Sequence, residues 1–245
     1  MRNIYIPPVV KNLLIINILF FVAKWLLAQK NIDLDNLFGA FYFDSPKFRI
    51  WQPITYMFMH GNLAHIFFNM FALYSFGSLL ESRWGAKKFL VFYFITGLGA
   101  LFLQWAVQAF EIHQILGTIT ASGKIDLAAL FQEQFDNKLL SLPQATTIYG
   151  IYFGGMVGAS GAIFGLLVAF GMLYPNAELY IMFIPVPVKA KYIIPVYILI
   201  ELSLGVAQIQ GDSIAHYAHL GGALIGFILV KIWKDKNDTF YTLYE

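Results

Sequence analysis

Long apolar runs, most of them about the length of a membrane-spanning helix, recur along the 245-residue chain. A helix needs about 20 mostly apolar residues to cross a bilayer, because no water is present there to bind free backbone N–H and C=O groups. The pattern predicts an all-α membrane protein, a six-helix bundle with a single domain over residues 1–245. The predicted spans are 13–28, 54–80, 89–110, 148–173, 192–207 and 214–233.

The composition excludes several classes of protein. Hydrophobic residues make up 59% of the chain and charged residues 12%, whereas about 25% charged residues is typical of soluble domains. The lipid bilayer is therefore the expected environment. The chain has no cysteine, which excludes thiol nucleophiles and cysteine-based zinc sites. A net charge of +2 without a basic run gives no indication of a nucleic-acid partner, and we predict neither a metal nor a cofactor.

Charged residues outside the spans predict the orientation. Lysine and arginine are concentrated near the two termini and in the loops 81–88 and 175–191, while most carboxylates fall on the opposite side. The positive-inside rule then favours an N-in/C-in topology. Segment 111–147 becomes an external insertion, in which an apolar stripe predicts an amphipathic surface helix, with a plain solvated linker as the alternative. The stripe consists of Leu127, Phe131, Phe135 and Leu139.

Polar residues inside the spans are the main functional candidates, because each is costly in hydrocarbon. At 1.5 Å of rise per residue, three of them, His65, Ser160 and His219, lie roughly 10–15 Å below the outer surface. Their common depth predicts a shared, water-accessible cavity in the outer half of the membrane. The full set is His60, His65 and Asn69 in the second span, Ser160 in the fourth, Glu201 in the fifth, and His216 and His219 in the sixth.

Two glycine seams offer a way to bring the fourth and sixth spans together, since small residues four apart let helix backbones approach closely. If the seams face each other, Ser160 and His219 come within hydrogen-bond reach. A neutral imidazole there can take the hydroxyl proton and return it to a leaving amine. The seams are Gly161 with Gly165, and Gly222 with Gly226.

An oxyanion formed during such a reaction needs hydrogen-bond donors that are already in place. The candidates are the backbone N–H groups of Ala159 and Ser160, at an expected helix start, and the side chains of His65 and Asn69, which share one helix face. No carboxylate lies near the histidines within their spans, so the residues predict a Ser-His dyad without a third member. The alternative is structural: such serines often pack against neighbouring helices, and membrane histidines and asparagines often form interhelical hydrogen bonds.

Several ordered motifs make the chain resemble the rhomboid family of intramembrane serine proteases. The resemblance implies Ser160 as nucleophile, His219 as general base and acid, and an oxyanion hole formed by His65, Asn69 and the Ser160 N–H. It also implies that Phe164 packs against the catalytic imidazole and that His216 lies beside the site. The motifs are Trp51-Gln-Pro-Ile-Thr-Tyr-Met-Phe-Met-His60, His65-x-x-x-Asn69, Glu81-Ser-Arg-Trp-Gly85, Gly158-Ala-Ser-Gly-Ala-Ile-Phe-Gly165, Pro185-Val-Pro-Val-Lys189 and Ala218-His-Leu-Gly-Gly222.

This resemblance implies hydrolysis of a peptide bond in or near the transmembrane segment of a membrane-protein substrate, without metal or cofactor. One alternative is a non-catalytic rhomboid-like protein that binds membrane clients, although such relatives typically lack the serine or the histidine. Another is a small transporter or channel, for which the sequence shows no internal repeat. Because no targeting presequence is visible, we expect a bacterial plasma membrane, with the active site open to the outer side.

Overall fold

The computed structural model describes residues 6–121, 126, 140–181, 184–207 and 215–233, and most of them lie in helices. The predicted all-α membrane fold is confirmed, with one small β-hairpin added. The helices are α1 (Pro8–Ala28), α2 (Leu34–Phe38), α3 (Gln52–Thr55), α4 (Leu63–Ala72), α5 (Ser78–Trp84), α6 (Ala86–Leu116), α7 (Leu142–Phe153), α8 (Ser160–Leu173), α9 (Ala190–Ala207) and α10 (His216–Trp233), with strands β1 (Glu178–Ile181) and β2 (Ile184–Lys189) before α9.

Five of the described helical segments are long and apolar enough to cross a membrane. One of them combines α4 and α5, which are joined by a π-helical turn at Leu73–Gly77. The chain is therefore an integral, multi-pass membrane protein, while the single-domain boundaries and the N-in/C-in orientation stay predictions. The five segments are Pro8–Ala28, Leu63–Trp84, Ala86–Leu116, Ala190–Ala207 and His216–Trp233.

The fourth predicted span, 148–173, needs correction because the structure divides it into two helices. The chain leaves α7 after Phe153 and resumes helix only at Ser160. Glycines cause the break: Gly158 has φ +136°, a conformation that residues with a side chain rarely adopt. Between the helices, Met156 exchanges two backbone hydrogen bonds of 2.8 Å with Ala40, which satisfies polar groups that the helix no longer pairs.

Helix α8 is short, and its length determines the depth of its first residue. Its 14 residues extend about 21 Å, compared with about 30 Å for the hydrocarbon core of a bilayer. If Leu173 lies at one membrane surface, Ser160 lies about 9 Å below the other. This depth is similar to the 10–15 Å expected from the sequence.

The second span begins later than the predicted 54–80 range. Residues 56–58 form a 3-10 turn, and the spanning helix starts at Leu63 after Asn62, whose side chain accepts a 2.8 Å hydrogen bond from the His65 backbone N–H. This is an ordinary N-cap, which satisfies one of the free amides at the helix start. The π turn at Leu73–Gly77 was not expected from the sequence.

Helix α6 is longer than the predicted third span of 89–110 and continues to Leu116. It ends where Gly117 adopts a left-handed conformation with φ +71°. The predicted external insertion therefore begins in helix and leaves it at residue 117. The amphipathic helix expected at Leu127, Phe131, Phe135 and Leu139 lies outside the described residues.

The predicted loop at 175–191 contains the β-hairpin. Its antiparallel register pairs Glu178 with Lys189, Leu179 with Val188, and Ile181 with Ile184, with an irregularity between the last two pairs. The hairpin ends directly at α9 and fixes the position where that helix begins.

Helix α8 lies in the middle of the bundle and most of its residues are buried. Its glycines lie against α6, where a Cβ added at Gly161 would meet the Ala100 methyl at 2.4 Å, and one added at Gly165 would meet Thr96 at 2.6 Å. Side chains at these positions would separate the helices, so the close packing of α8 depends on glycine.

Glu81 attaches the start of α1 to the bundle. This carboxylate is 3% exposed, and its two oxygens accept hydrogen bonds from the backbone N–H groups of Val9 at 2.9 Å and Val10 at 2.7 Å. The first amides of a helix have no partner within the helix and carry partial positive charge, so an anion there is stabilising. The motif around Glu81 thus has a clear packing role.

Candidate active site

The central feature of the site is a hydrogen bond between α8 and α10. The Nε2 atom of His219 lies 2.8 Å from the Oγ atom of Ser160. Ser160 is the first residue of α8, and His219 lies in the first turn of α10. The structure therefore brings together the two side chains that the sequence suggested as nucleophile and base.

The two glycine seams account for this short distance. A Cβ built on Gly222 would lie 1.8 Å from the carbonyl oxygen of Gly161, and one on Gly226 would lie 2.7 Å from the Cα of Gly165. The backbones of α8 and α10 are in direct contact along this line, as small-residue helix interfaces allow. The predicted facing of the seams is the arrangement found in the structure.

Phe164 covers one face of the His219 imidazole. The two rings are nearly parallel, with centroids 4.3 Å apart and planes 9° apart. The other neighbour of Phe164 is Tyr197 of α9, at a centroid distance of 5.1 Å. The imidazole is thus held between a packed aromatic wall and its hydrogen-bond partners.

His65 lies close to Ser160 on the other side of Gly158. A Cβ added at Gly158 would be 2.8 Å from Nε2 of His65 and 3.4 Å from Oγ of Ser160, so both atoms border the same small space. The Nδ1 atom of His65 faces the Gly61 backbone N–H at 3.3 Å. Since Nδ1 accepts there, Nε2 carries the proton and is a donor directed toward that space.

Asn69 lies one turn further along the same helix and is 6% exposed. It donates a 2.9 Å hydrogen bond from Nδ2 to the His65 carbonyl oxygen. An amide group has two such protons, so this bond fixes the side chain and uses one of them. The backbone contributes further donors, because Ala159 is the N-cap of α8 and the first amides of that helix, beginning with Ser160, have no partner within it.

Glu201 contacts His219, although the sequence predicts a Ser-His dyad without a third member. Its Oε2 atom lies 2.9 Å from Nδ1 of His219 and 2.7 Å from Nδ1 of His216. The sequence singled out Glu201 as a carboxylate inside a span, but it lies on α9, and its distance along the chain from either histidine gave no sign of contact. The physical signal was present, since a carboxylate buried in a membrane protein needs a partner.

The comparisons with known proteins identify the family of this chain. Residues 47–235 match the family model of the Rhomboid domain. This chain belongs to the rhomboid family. Among its relatives is a rhomboid protease named GlpG from Yersinia pestis, which is 25% identical over 80% of this chain and 52% of the relative.

Two fungal relatives of this rhomboid are named as mitochondrial. An uncharacterized rhomboid protein of Schizosaccharomyces pombe is 26% identical over 87% of this chain and 57% of its own length. Rhomboid protein 1 of Saccharomyces cerevisiae is 26% identical over 85% of this chain and 45% of its own length. The chain thus spans about half the length of these relatives, and they give no support to the expected bacterial plasma membrane.

Proposed function

We propose that this rhomboid is a serine endopeptidase that hydrolyses peptide bonds in or near the transmembrane segments of other membrane proteins. The observation that carries the proposal is the 2.8 Å contact between Ser160 Oγ and His219 Nε2. A serine hydroxyl is a weak nucleophile alone, and an adjacent base in hydrogen-bond contact is what activates it. The family membership supports the same reaction class.

The first half of the reaction proceeds in two proton transfers on His219. As Ser160 Oγ bonds to the scissile carbonyl carbon, its proton moves to His219 Nε2 and the carbonyl electron pair becomes an oxyanion. Collapse of this intermediate breaks the C–N bond, and His219 returns the proton to the leaving amine. Water then repeats the sequence on the acyl-enzyme and releases Ser160.

The oxyanion is stabilised by donors that border the space beside Gly158. The candidate donors are the Nε2–H of His65, which borders that space, the backbone N–H groups of Ala159 and Ser160 at the start of α8, and the second amide proton of Asn69. Removing one such donor from a comparable enzyme site costs about 3–4 kcal/mol of transition-state stabilisation. His65 and Asn69 would then stabilise the transition state by donating hydrogen bonds to the oxyanion.

The recessed position of Ser160 favours a membrane-embedded substrate. A helix that enters the site must expose an unwound peptide bond, because the amide and carbonyl of a regular helix are already paired. Substrates with glycine or other weak helix formers near the cleaved bond should therefore react faster. Hydrolysis also needs water at this depth.

Cleavage of a single-span reporter in reconstituted vesicles tests the proposal. The variants are Ser160→Ala and His219→Ala, with Ser203→Ala as a matched control, because Ser203 is also a serine in a membrane helix and its hydroxyl donates to the Leu199 carbonyl of its own turn. We expect wild type and Ser203→Ala to cleave, and the other two to lose at least about 10³-fold in rate.

Two results would contradict the proposal. Equal cleavage by wild type, Ser160→Ala and His219→Ala would show that this pair does not carry the reaction. No cleavage by any folded variant, together with binding of the reporter, would favour the non-catalytic, client-binding alternative.

A further inference from the structure

Glu201 makes its contacts from a helix that contributes neither the nucleophile nor the base. The carboxylate lies on α9, and its side chain is 6% exposed, compared with 12% for the side chain of His219. A single oxygen, Oε2, receives both His219 Nδ1 at 2.9 Å and His216 Nδ1 at 2.7 Å. His219 is therefore held at both ring nitrogens, by Ser160 on one side and by Glu201 on the other.

The carboxylate fixes the tautomer of His219. An ionised carboxylate only accepts hydrogen bonds, so the His219 nitrogen that faces it must carry a proton. In a neutral imidazole the other nitrogen, Nε2, then has a free lone pair. That lone pair faces the Ser160 hydroxyl, which is the state that a general base requires.

We propose that Glu201 is a positioning residue that completes a Ser160–His219–Glu201 triad, in place of the dyad expected from the sequence. This inference rests on the proposed function. Glu201 holds His219 in the Nδ1–H tautomer and orients its ring. It also stabilises the imidazolium that forms when His219 takes the serine proton, as the carboxylate does in the Ser-His-Asp template.

The proton balance leaves Glu201 unchanged through the cycle. The Ser160 O–H bond breaks, the proton is held on His219 Nε2, and it leaves on the amine of the cleaved bond. The Nδ1–H of His219 stays in place, and the carboxylate remains ionised because it only compensates the positive charge on the ring.

His216 gives the carboxylate its second contact. Because His216 is 5% exposed and donates to the same oxygen, it fixes Glu201 against rotation away from His219. Composition alone left His216 and His219 as two candidates, and the family resemblance assigned the base to His219 and placed His216 beside the site. In the structure both contact Glu201, and His219 also forms a hydrogen bond with Ser160.

A metal centre is the competing interpretation of these three residues, whose ligand atoms all lie within 4.8 Å of one another. The distances of 2.7 and 2.9 Å between the histidine Nδ1 atoms and Glu201 Oε2 are those of ordinary hydrogen bonds. Two ligands at about 2.0–2.1 Å from one tetrahedral zinc ion would lie about 3.3 Å apart. The geometry therefore favours a hydrogen-bonded triad.

The test compares Glu201→Gln with Glu81→Gln in the full-length protein, reconstituted in vesicles. Both residues are buried carboxylates, but Glu81 bonds to α1 and not to the site. For each variant, kcat and KM of reporter cleavage, the rate of Ser160 labelling by a fluorophosphonate, and the thermal unfolding midpoint are measured. Wild-type cleavage with and without a chelator completes the set.

We expect Glu201→Gln to lower kcat by about 10²–10⁴-fold with KM unchanged, and to slow fluorophosphonate labelling in parallel. Glu81→Gln should stay within about twofold of wild type in kcat, even if its unfolding midpoint falls. A folded Glu201→Gln protein with wild-type kcat would overturn the inference, and so would loss of wild-type cleavage on chelation. If wild type itself neither cleaves nor labels, the proposed function fails instead.

A second measurement does not depend on the variant folding. Nitrogen NMR of wild type labelled at its five histidines, with His219 assigned by the loss of its signals in His219→Gln, reports which ring nitrogen is protonated. We expect the proton on Nδ1 when the ring is neutral. A proton on Nε2 would overturn the inference, because His219 could not then accept from Ser160.

A matched pair at His216 tests the anchoring role. His216→Asn keeps an N–H donor near the carboxylate, whereas His216→Leu removes it. We expect the leucine variant to lose at least about tenfold more kcat than the asparagine variant, with equal KM. Equal kcat values in the two folded proteins would contradict a role for this hydrogen bond.

Discussion

The imidazole of His219 lies flat on the ring of Phe164, with planes 9° apart. Phe164 is itself buried, at 4% exposure, so this aromatic wall has little freedom to move. Aromatic pairs of this kind are worth about 0.5–1.5 kcal/mol beyond the area they bury. The free energy of this contact is therefore large enough to change how often the imidazole adopts the orientation that a general base needs.

Replacing Phe164 should affect the chemical step. We expect Phe164→Leu to lower kcat about 3–10-fold while KM stays unchanged. The reason is that the ring no longer holds the imidazole in place, which raises the activation free energy by about 0.7–1.4 kcal/mol. Phe164→Tyr keeps the ring and should remain within about twofold of wild type. Steady-state cleavage of the reporter measures both, and identical kcat values for the two variants would contradict the positioning role of the ring.

The contact between Gly222 and Gly161 predicts a large effect on stability. A methyl group at Gly222 would be built 1.8 Å from the Gly161 carbonyl oxygen, so α8 and α10 must separate. We expect Gly222→Ala to lower the free energy of unfolding by about 3 kcal/mol or more. Denaturant titration in mixed micelles measures this change.

Gly150 supplies the control for that experiment. It lies inside α7, and among the residues that the structure describes a Cβ there meets nothing within 4 Å. Alanine in such a helix position should raise the free energy of unfolding by about 0.5–1 kcal/mol. If both alanine variants change stability equally, the close helix contact is not what makes Gly222 necessary.

Gly158 is expected to be required for activity. Alanine there needs a backbone conformation that costs about 1–3 kcal/mol, and its methyl group would lie 2.8 Å from His65 Nε2, in the space assigned to the oxyanion. We expect Gly158→Ala to fold with reduced stability and to lose at least about 10²-fold in kcat. Gly61→Ala, whose Cβ has its nearest neighbour at 3.7 Å, should stay close to wild type.

Glu81 should matter for stability and not for chemistry. Glu81→Ala leaves the amides of Val9 and Val10 without their acceptor, and bonds to charged groups contribute about 1.5–3 kcal/mol. We expect a decrease of that size in the free energy of unfolding, with kcat retained below the new unfolding midpoint. A loss of kcat in fully folded protein would show that α1 is coupled to the site.

The sequence predicts the site best where a reactive side chain lies at an unusual position, inside an apolar span. Ser160 and His219 could be predicted because polar side chains in apolar spans are rare, and because each lies next to a glycine seam. The expected pairing of the fourth and sixth spans is found in the structure, where Gly222 and Gly226 pack against Gly161 and Gly165. The same reasoning placed His65 and Asn69 on one helix face.

Other features depend on tertiary structure that no local pattern contains. Glu201 meets His219 only because α9 lies beside α10, and the rotation of a helix about its axis is set by all its neighbours. The break before Ser160 was hidden, because residues 148–173 are apolar throughout and hydropathy alone does not distinguish a glycine-rich turn from a helix. The hairpin at 178–189 was overlooked for a similar reason, since short strands in a loop carry a weak pattern.

The π turn at Leu73–Gly77 has a consequence for how the second span works as a unit. A π turn accommodates one more residue than an α turn, so the residues that follow it are rotated by about 100° relative to an uninterrupted helix. His65, before the turn, lies beside Gly158, while Glu81, after it, binds the first amides of α1. Deleting one residue within 73–77 would restore regular pitch and rotate Glu81 away from α1 relative to His65. The extra residue therefore lets one spanning helix direct a side chain to the candidate site and another to α1.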